Sequence, residues 1–536
     1  MEADLFAEGR DPVQGLLLVR HASDRRWTEI PLKPLDNDRW AASFIVSKEG
    51  YYVYTLMGWV GEKRNNPTLY RELWVRVDRE KARFSAWYEI FPRSCSPESG
   101  KHGTFKDLEK QLPTLASMGF DVLYLPPIHP VGRTKRKGKN NMLDAGPGDP
   151  GSPWAIGSEA GGHKHINPEL GTLEDFRGLM DRARGSGLET ALDIALQCSP
   201  DHPYVKRHPE WFRRRPDGSI QYAENPPKKY EDIYPFNFET KHWKALWEEM
   251  LSIFLFWAQQ GVRIFRVDNP HTKPFDFWEW LIGQVQRKYP DALFLSEAFT
   301  RPKVMHRLAK LGFSQSYTYF TWRNSRSELA DYFTELTQGP AREYFRPSVW
   351  PNTPDILPAS LREAGPAAFR LRFVLAATLA AHYGIYGPAF ELCEDKPRDS
   401  ESEEYLNSEK YELKRWDLGR PGGLKDLITR VNQIRRENPA LQRDEGLEFH
   451  SAGNEQLLCY SKRAGQNLLL MVVNLDPLHK QGGSVELPLE RLGLDPSRPF
   501  AVEDLLDGSK YTWRGGGNTV ELDPARAPAH LFRVHR

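Results

Sequence analysis

The chain has 536 residues, which is more than one ordinary domain and predicts two or three domains. Its 73 basic and 72 acidic residues give a formal net charge of +1, so the overall charge indicates neither a nucleic-acid partner nor an anionic membrane partner. No signal peptide or membrane span is visible, and four cysteines without a CxxC pair favour a cytoplasmic protein without a disulfide framework or a zinc site.

Residues 1–82 are predicted to form a small N-terminal β-sandwich. Short strands are expected at 15–21, 39–46, 50–59 and 72–77, with turn residues between them and no helical periodicity.

From residue 83 to residue 437, apolar runs alternate with helical stretches, which is typical of a parallel α/β architecture. The predicted strands are 85–91, 121–126, 188–196, 262–268, 292–298, 316–322, 343–350 and 381–386. Eight strands with helices between most of them predict a (β/α)₈ barrel. A loop-rich insert at about 199–240 follows the third strand and is expected to cover the pocket.

Residues 438–536 again have the pattern of strands. The predicted strands lie at 457–462, 467–474, 483–487 and 530–534, so a C-terminal β-sandwich is expected.

Two carboxylates end successive strands of the predicted barrel. The segment GVRIFRVDN (261–269) is an apolar run that ends on Arg266 and Asp268, and ALFLSEAF (292–299) ends on Glu297 one strand later. Barrel enzymes keep their chemistry at this end of the strands. Two such acids are what a retaining glycosidase-type reaction needs, with their carboxyl groups roughly 5–5.5 Å apart.

The neighbours of the two acids predict different roles. Arg266, on the same strand face as Asp268, would favour the ionised form that a nucleophile requires. Glu297 follows Phe294 and Leu295, and an apolar setting would raise its pKa toward the range of an acid/base. Each acid considered alone could equally be a structural residue at a strand end.

A third acid, Asp355, lies in WPNTPDIL (350–357) after the predicted seventh strand. Across the pocket it could hold sugar hydroxyls and stabilise oxocarbenium-like charge. By itself it would more often be a turn residue.

The segments around these acids resemble the α-amylase superfamily of (β/α)₈ enzymes. Further segments resemble one branch, the maltosyltransferases that use α-maltose 1-phosphate to extend α-1,4-glucans. These are WYEIFPRS (87–94), LYLPPIHPVG (123–132), RKGKNN (136–141), ALDIALQCSPDHP (191–203), NPPKKYEDIYP (225–235), YTYFTWRN (317–324), FELCE (390–394) and YLNSEKYELK (405–414).

The resemblance implies a retaining transfer of maltosyl units to the non-reducing end of an α-1,4-glucan or maltooligosaccharide, as in glycogen synthesis, without a metal or organic cofactor. Asp268 would be the nucleophile, Glu297 the acid/base and Asp355 the transition-state stabiliser. The donor would be held by Lys137, Asn141, Gln197, Asn225, Tyr230, Arg266, Asn269, Lys410 and Tyr411. Cations and amides in this set suit a phosphate, and its tyrosines suit a sugar face. Asp193 and His163 are equally compatible with pocket wall and scaffold.

Two departures qualify this resemblance. General amylases have Asn-His and His-Asp where this chain has Gln197-Cys198 and Pro354-Asp355, which removes an expected calcium ligand and fits the maltosyltransferase branch. Members also have a longer N-terminal region with a helical insertion that contributes to dimerisation. The 82 residues here leave no room for it, which puts the implied homodimer in question.

Two other functions stay open at this point. One is an α-glucan hydrolase, a disproportionating enzyme or a disaccharide isomerase on the same barrel, which would not need the cations of RKGKNN and SEKY. The other is a non-catalytic glucan-binding protein, against which the intact Asp268, Glu297 and Asp355 argue.

Overall fold

The computed structural model describes residues 1–225 and 228–535. Pro226 and Pro227, in the segment NPPKKYEDIYP, lie outside the described residues. The chain forms two compact units, residues 1–80 with 286–291, and residues 81–285 with 292 onward. The two boundaries that the sequence places between three domains stay a prediction. In the described part of the chain, no helix is both long and apolar enough to cross a membrane.

The first unit consists mainly of two antiparallel sheets. Its strands are β1 (Glu2–Asp4), β2 (Val13–His21), β3 (Thr28–Pro31), β4 (Lys33–Pro34), β5 (Arg39–Ala41), β6 (Gly50–Val60), β7 (Thr68–Leu69) and β8 (Leu73–Val77). One sheet has the order β1-β5-β4, and the other has the order β3-β2-β6-β7 with β8 paired to β6. The predicted strand 39–46 ends early, at Ala41, and Ile45 beyond it is 94% exposed, so its side chain has no core to pack against.

The second unit contains a closed parallel barrel. Its strands up to the last barrel strand are β9 (Ser85–Glu89), β10 (Val122–Leu125), β11 (Glu189–Ile194), β12 (Gln197–Cys198), β13 (Ala223–Asn225), β14 (Lys228–Tyr230), β15 (Tyr234–Pro235), β16 (Ile264–Asp268), β17 (Leu293–Glu297), β18 (Gln315–Tyr317), β19 (Pro347–Val349) and β20 (His382–Tyr386). The barrel order is β9-β10-β11-β16-β17-β18-β19-β20, closing back on β9. This confirms the predicted (β/α)₈ barrel.

The barrel interior is packed with side chains rather than open. Inward-facing residues of the strands form one buried cluster that includes Trp87, Tyr124, Ala191, Ile264, Leu293, Leu295, Tyr317 and Trp350. Because side chains alternate between the two faces of a strand, Arg266 and Asp268 point inward like Ile264, and Glu297 points inward like Leu295.

The α-helices surround the strands or connect them. They are α1 (Phe105–Glu109), α2 (Leu112–Ser117), α3 (Leu173–Gly185), α4 (Pro203–Arg207), α5 (Trp243–Gln259), α6 (Phe275–Lys288), α7 (Pro302–Lys310), α8 (Arg326–Gln338), α9 (Gly365–Leu379), α10 (Gly387–Glu391), α11 (Lys425–Glu437) and α12 (Leu489–Leu492). Short 3₁₀ turns cover Glu80–Ala82, Pro92–Ser94, Lys139–Asn141, Pro209–Trp211, Pro270–Thr272, Tyr319–Trp322, Pro340–Glu343 and Pro439–Gln442.

Local sequence signals account for several helix starts. Thr172 and Asp175 form a capping box before α3, and Ser325 and Glu328 form another before α8, so side chains satisfy backbone groups that the first turn leaves unpaired.

Two predicted barrel strands were too long. Residues 319–322 form a 3₁₀ turn rather than strand, because the buried guanidinium of Arg372 donates to the carbonyls of Phe320 and Arg323 and holds the chain in a turn. The predicted strand 343–350 begins only at Pro347. Before it, Pro340 starts a 3₁₀ turn, since proline has a fixed φ and no N–H for a sheet.

The C-terminal strands form an antiparallel sheet that folds onto itself. They are β21 (Leu447–Ala452), β22 (Leu457–Ala464), β23 (Asn467–Asn474), β24 (Gln481–Glu486), β25 (Phe500–Asp504), β26 (Lys510–Trp513), β27 (Gly517–Leu522) and β28 (Ala529–His535). The first half of β21 pairs with β22, and its end pairs with β24, so this strand joins two halves. Val472 and Val502 of one half share a buried core with Val485 and Val520 of the other.

Candidate active site

Strands β16 and β17 bring the two predicted acids side by side. In the parallel register of this pair, Asp268 lies opposite Glu297 at the carboxyl ends of both strands. Asp268 is 7% exposed and Glu297 is half-buried. The two acids therefore meet at the end of the barrel where the insert 199–240 begins after β11.

Arg266 connects the acids of this centre. Its Nη1 donates to Asp193 Oδ2 at 2.9 Å and to Asp268 Oδ1 at 3.0 Å, and its Nη2 lies 3.7 Å from Glu297 Oε2. Burial by itself would lower the pKa of Arg266, but the nearby acids, Asp193 first, raise it well above its usual value. A permanent cation therefore sits beneath the two carboxylates.

Asp193, which the sequence left between pocket wall and scaffold, lies beneath the centre as an anchor for Arg266. It is fully buried and also accepts hydrogen bonds from the Tyr124 hydroxyl at 2.6 Å and from Trp154 Nε1 at 3.2 Å. His163, which the sequence also left between pocket wall and scaffold, lies outside this centre. Its Nε2 lies 2.9 Å from the Ala195 carbonyl, and its Nδ1 lies 3.0 Å from His202 Nε2. These contacts make His163 part of the scaffold.

Glu297 has the electrostatic setting of a proton donor. Burial raises its pKa to about 8, and the negative charges of Asp268 and Asp355 act in the same direction. Arg266 and the backbone N–H of Asn269 oppose this shift. At neutral pH the carboxyl group of Glu297 is therefore mainly protonated, as a general acid must be.

Asn269 and Gln197 complete the surroundings of Asp268. The Asn269 Nδ2 and the Gln197 Nε2 lie 3.3 Å and 3.4 Å from Asp268 Oδ2, respectively, and both donate to it. Asn269 has a left-handed backbone, with φ 43°, and its N–H donates to Glu297 Oε2 at 3.0 Å. Asn269 thus contacts both acids. Asparagine tolerates a left-handed backbone better than most residues, which suits it to this position directly after β16.

Asp355 is paired with Lys410 across the pocket. Lys410 Nζ donates to Asp355 Oδ1, and its ammonium lies 5.0 Å from the ring centroid of Trp154 and 5.8 Å from that of Tyr411. Burial favours a higher pKa for Asp355, but Lys410 outweighs it and lowers the pKa below the usual value. Asp355 is therefore ionised at neutral pH and carries the negative charge expected of it.

The remaining residues predicted to hold the donor differ in burial and in their contacts. Lys137 is 3% exposed and forms an ion pair with Glu231, and Tyr230 lies half-buried close to Lys410 and Asp355. Asn225 is exposed on β13. Asn141, with φ 64°, has a buried Oδ1 without a hydrogen-bond partner among the described residues.

Two residues near these groups were missed by the sequence analysis. Asp232 is buried between the charges of Lys137 and Lys410; burial raises its pKa to about 6, and Lys137 opposes that shift. Lys273 is buried beside Asp268 and Glu297. Asp232 lies in NPPKKYEDIYP (225–235), and Lys273 lies five residues after Asp268. Neither position carries a sequence signal that separates it from an ordinary surface charge.

The comparisons with known proteins agree on one family. Residues 1–66 match the family described as alpha-1,4-glucan:maltose-1-phosphate maltosyltransferase, domain N/S, and residues 449–534 match the family described as GLGE, C-terminal. A protein of Methylacidiphilum infernorum with the name alpha-1,4-glucan:maltose-1-phosphate maltosyltransferase is 49% identical, with 100% of this chain and 92% of that protein covered. The chain belongs to this family.

A protein of the same name from Chlorobaculum tepidum is 48% identical, again with 100% of this chain and 92% of that protein covered. The alignment with the Methylacidiphilum protein spans 612 positions, 76 more than the 536 residues of this chain, so that relative contains residues for which this member has no counterpart.

The solved structure of an α-amylase from Lactobacillus plantarum has a TM-score of 0.64 at 22% identity, covering 85% of this chain and 100% of that chain. At this identity the likeness supports the fold of the family member described here and nothing further.

Proposed function

We propose that this chain transfers maltosyl units from α-maltose 1-phosphate to the non-reducing end of an α-1,4-glucan or maltooligosaccharide, with retention and with release of phosphate. The observation that carries the mechanism is the placement of Asp268 and Glu297 on neighbouring strand ends around Arg266. The family to which the chain belongs supports the choice of donor and acceptor.

In the first step, a carboxylate oxygen of Asp268 attacks the anomeric carbon of the donor. The bond from that carbon to the phosphate oxygen breaks, and Glu297 gives its proton to the departing phosphate. The product is a β-maltosyl ester on Asp268. Arg266, Gln197 and Asn269 donate hydrogen bonds to the Asp268 carboxylate and orient it for this attack.

In the second step, Glu297, now ionised, takes the proton of the 4-hydroxyl at the non-reducing end of the acceptor. That oxygen attacks the anomeric carbon and the ester bond to Asp268 breaks. Two inversions give net retention, and the glucan grows by two glucose units. The proton that Glu297 gave to phosphate is regained from the acceptor, so the enzyme returns to its starting state.

Four side chains are suited to the donor's charge and shape. Lys137 and Lys410 supply cations for the phosphate and for hydroxyl groups, and the ring of Tyr411 beside Lys410 suits a sugar face. Asp355, ionised through its pairing with Lys410, stabilises the positive charge that develops at the anomeric carbon. These residues lie on loops, so their side chains can adjust their positions when the donor binds.

A direct test is incubation of the purified enzyme with α-maltose 1-phosphate and a short maltooligosaccharide, with phosphate and product sizes followed together. Phosphate release with products that grow in steps of two glucose units supports the proposal. If this donor releases no phosphate and plain oligosaccharides are cleaved or exchange glucose units, the enzyme is instead a hydrolase or a disproportionating enzyme on the same barrel. The cytoplasmic location stays a prediction of the sequence, and the homodimer stays in question.

A further inference from the structure

A buried lysine with no role in the steps above lies next to the reacting carboxylates. Lys273 follows the 3₁₀ turn Pro270–Thr272, which begins directly after Asn269 at the end of β16. It is 8% exposed, although lysine is among the residues that are rarely buried. Removing its side chain from water is costly, so its surroundings must compensate for the burial of its charge.

The contacts of Lys273 lead to the acid/base through one residue. Its Nζ donates to the backbone carbonyl of Asn269 at 3.1 Å, and the Thr272 hydroxyl donates to the same carbonyl at 2.8 Å. The N–H of Asn269 donates to Glu297 Oε2 at 3.0 Å. The left-handed turn of Asn269 is thus held on its carbonyl side by Lys273 and presents its N–H to Glu297.

The charge of Lys273 also faces both reacting acids. Burial lowers the pKa of Lys273 to about 8, while the negative charges of Asp268 and Glu297 oppose that shift. On the other sides, Glu297 faces Arg266 and Asp355. His271 is also close, but burial lowers its pKa, so it is uncharged at neutral pH. Lys273 is therefore a second cation at this centre besides Arg266, and it lies next to the turn Pro270–Thr272.

We propose that Lys273 is a positioning residue for Glu297: it fixes the Asn269 turn that donates to Glu297 and places a positive charge beside both reacting carboxylates. This inference rests on the proposed function of Glu297 as the acid/base. The positive charge favours the ionised form of Glu297, and the fixed turn keeps its carboxyl group aimed at the leaving and attacking oxygens.

The test compares K273M with K273R and with K303M, a control at an exposed lysine of α7. K273M is expected to lower kcat about 10–100-fold with a smaller change in the KM for α-maltose 1-phosphate. Without the cation, Glu297 holds its proton to higher pH, so the alkaline limb of kcat/KM should move up by about one pH unit. K273R stays charged throughout this pH range and should not move the limb upward, and K303M should leave the limb in place.

Two results would overturn the proposal. One is wild-type kcat and an unmoved alkaline limb in K273M; the other is a lower kcat with an unmoved limb, which would give Lys273 a packing role only. If K273M does not fold, K273Q serves instead, because its amide can still donate to the Asn269 carbonyl without a charge. It should move the limb as far with a smaller loss of kcat.

A failure of the proposed function would be recognised separately. If the wild-type enzyme releases no phosphate from α-maltose 1-phosphate, the donor assignment fails before any variant is compared. The Lys273 variants are then measured on the maltooligosaccharide that the wild type cleaves, since Glu297 would be the acid in that reaction too.

Discussion

Asp268 and Glu297 stand on the ends of two neighbouring barrel strands, whereas Lys137 and Lys410 stand on loops that are far apart in the chain. The strand-end acids share Arg266 from the same strand as Asp268, and backbone pairing fixes their register. The two lysines are each paired with a carboxylate from another segment, Lys137 with Glu231 and Lys410 with Asp355.

We expect this difference to separate the residues of the chemical step from those that set donor specificity. Groups on paired strands are held by the sheet hydrogen bonds and by a packed interior, so their mutual geometry tolerates little change. Groups on loops depend on a few side-chain contacts, and they can be altered without disturbing the barrel. Changes at the strand ends should therefore affect kcat, and changes in the loops should affect the KM for the donor.

The largest effect is expected at Asp268, the proposed nucleophile. D268N removes the attacking oxygen while it preserves the size of the side chain, so kcat should fall by at least about 10⁴-fold. The measurement is phosphate release from α-maltose 1-phosphate, with D276N as the control because Asp276 is exposed on α6. Turnover within tenfold of wild type in D268N would remove Asp268 from the chemistry.

An intermediate effect is expected at Lys410, where the two regions meet. K410M removes a proposed donor contact and leaves Asp355 without its cation, so the pKa of Asp355 should rise. In the proposed mechanism Asp355 acts in its ionised form, so K410M should lose activity at a higher pH than the wild type as the solution is acidified. The KM for the donor should also rise, by about tenfold for a lost charged contact.

The pH profile of kcat/KM for K410M, with K206M at an exposed lysine of α4 as the control, checks this. An acid limb that stays in place would show that Lys410 does not keep Asp355 ionised.

The smallest effect is expected where the loops of Lys137 and Lys410 touch at the surface. Asn140 Nδ2 donates to Asn407 Oδ1 at 3.0 Å, and the Asn407 N–H donates to Asn140 Oδ1 at 2.6 Å. These bonds tie the loop of Lys137 to the loop of Lys410. Both asparagines have a positive φ, 52° and 51°, which glycine adopts without strain.

N140G and N407G should therefore raise the KM for the donor about 2–5-fold, the worth of one or two exposed hydrogen bonds, with kcat unchanged. N66G is a matched control, because Asn66 also has a positive φ, 46°, but lies in the first unit. A fall in kcat with an unchanged KM would contradict the separation of the two regions.

The sequence predicted the strand-end centre better than the loops. Apolar runs that end on Asp268 and Glu297 identified two barrel strands, because a buried parallel strand has a recognisable local pattern. The pairing of Lys410 with Asp355, 55 positions apart, has no such local pattern. For the same reason, Asp232 and Lys273 were missed, since burial of a charged residue depends on partners from other segments.

The strand predicted at 316–322 shows a related limit. Its aromatic run has high β-propensity, but Arg372, about fifty residues further along the chain, holds residues 319–322 in a turn. Tertiary contacts of this kind override local preference, and a single sequence does not reveal them.

The most direct test of the account is a search for the covalent intermediate in E297Q. In this variant Asp268 can still displace phosphate from the donor, more slowly because the proton from Glu297 is missing, but no base activates the acceptor, so the ester should accumulate. After incubation with α-maltose 1-phosphate, intact mass should increase by one maltosyl unit, and peptide mapping should place that unit on Asp268. Phosphate release without an adduct, or an adduct on another residue, would contradict the proposed double displacement.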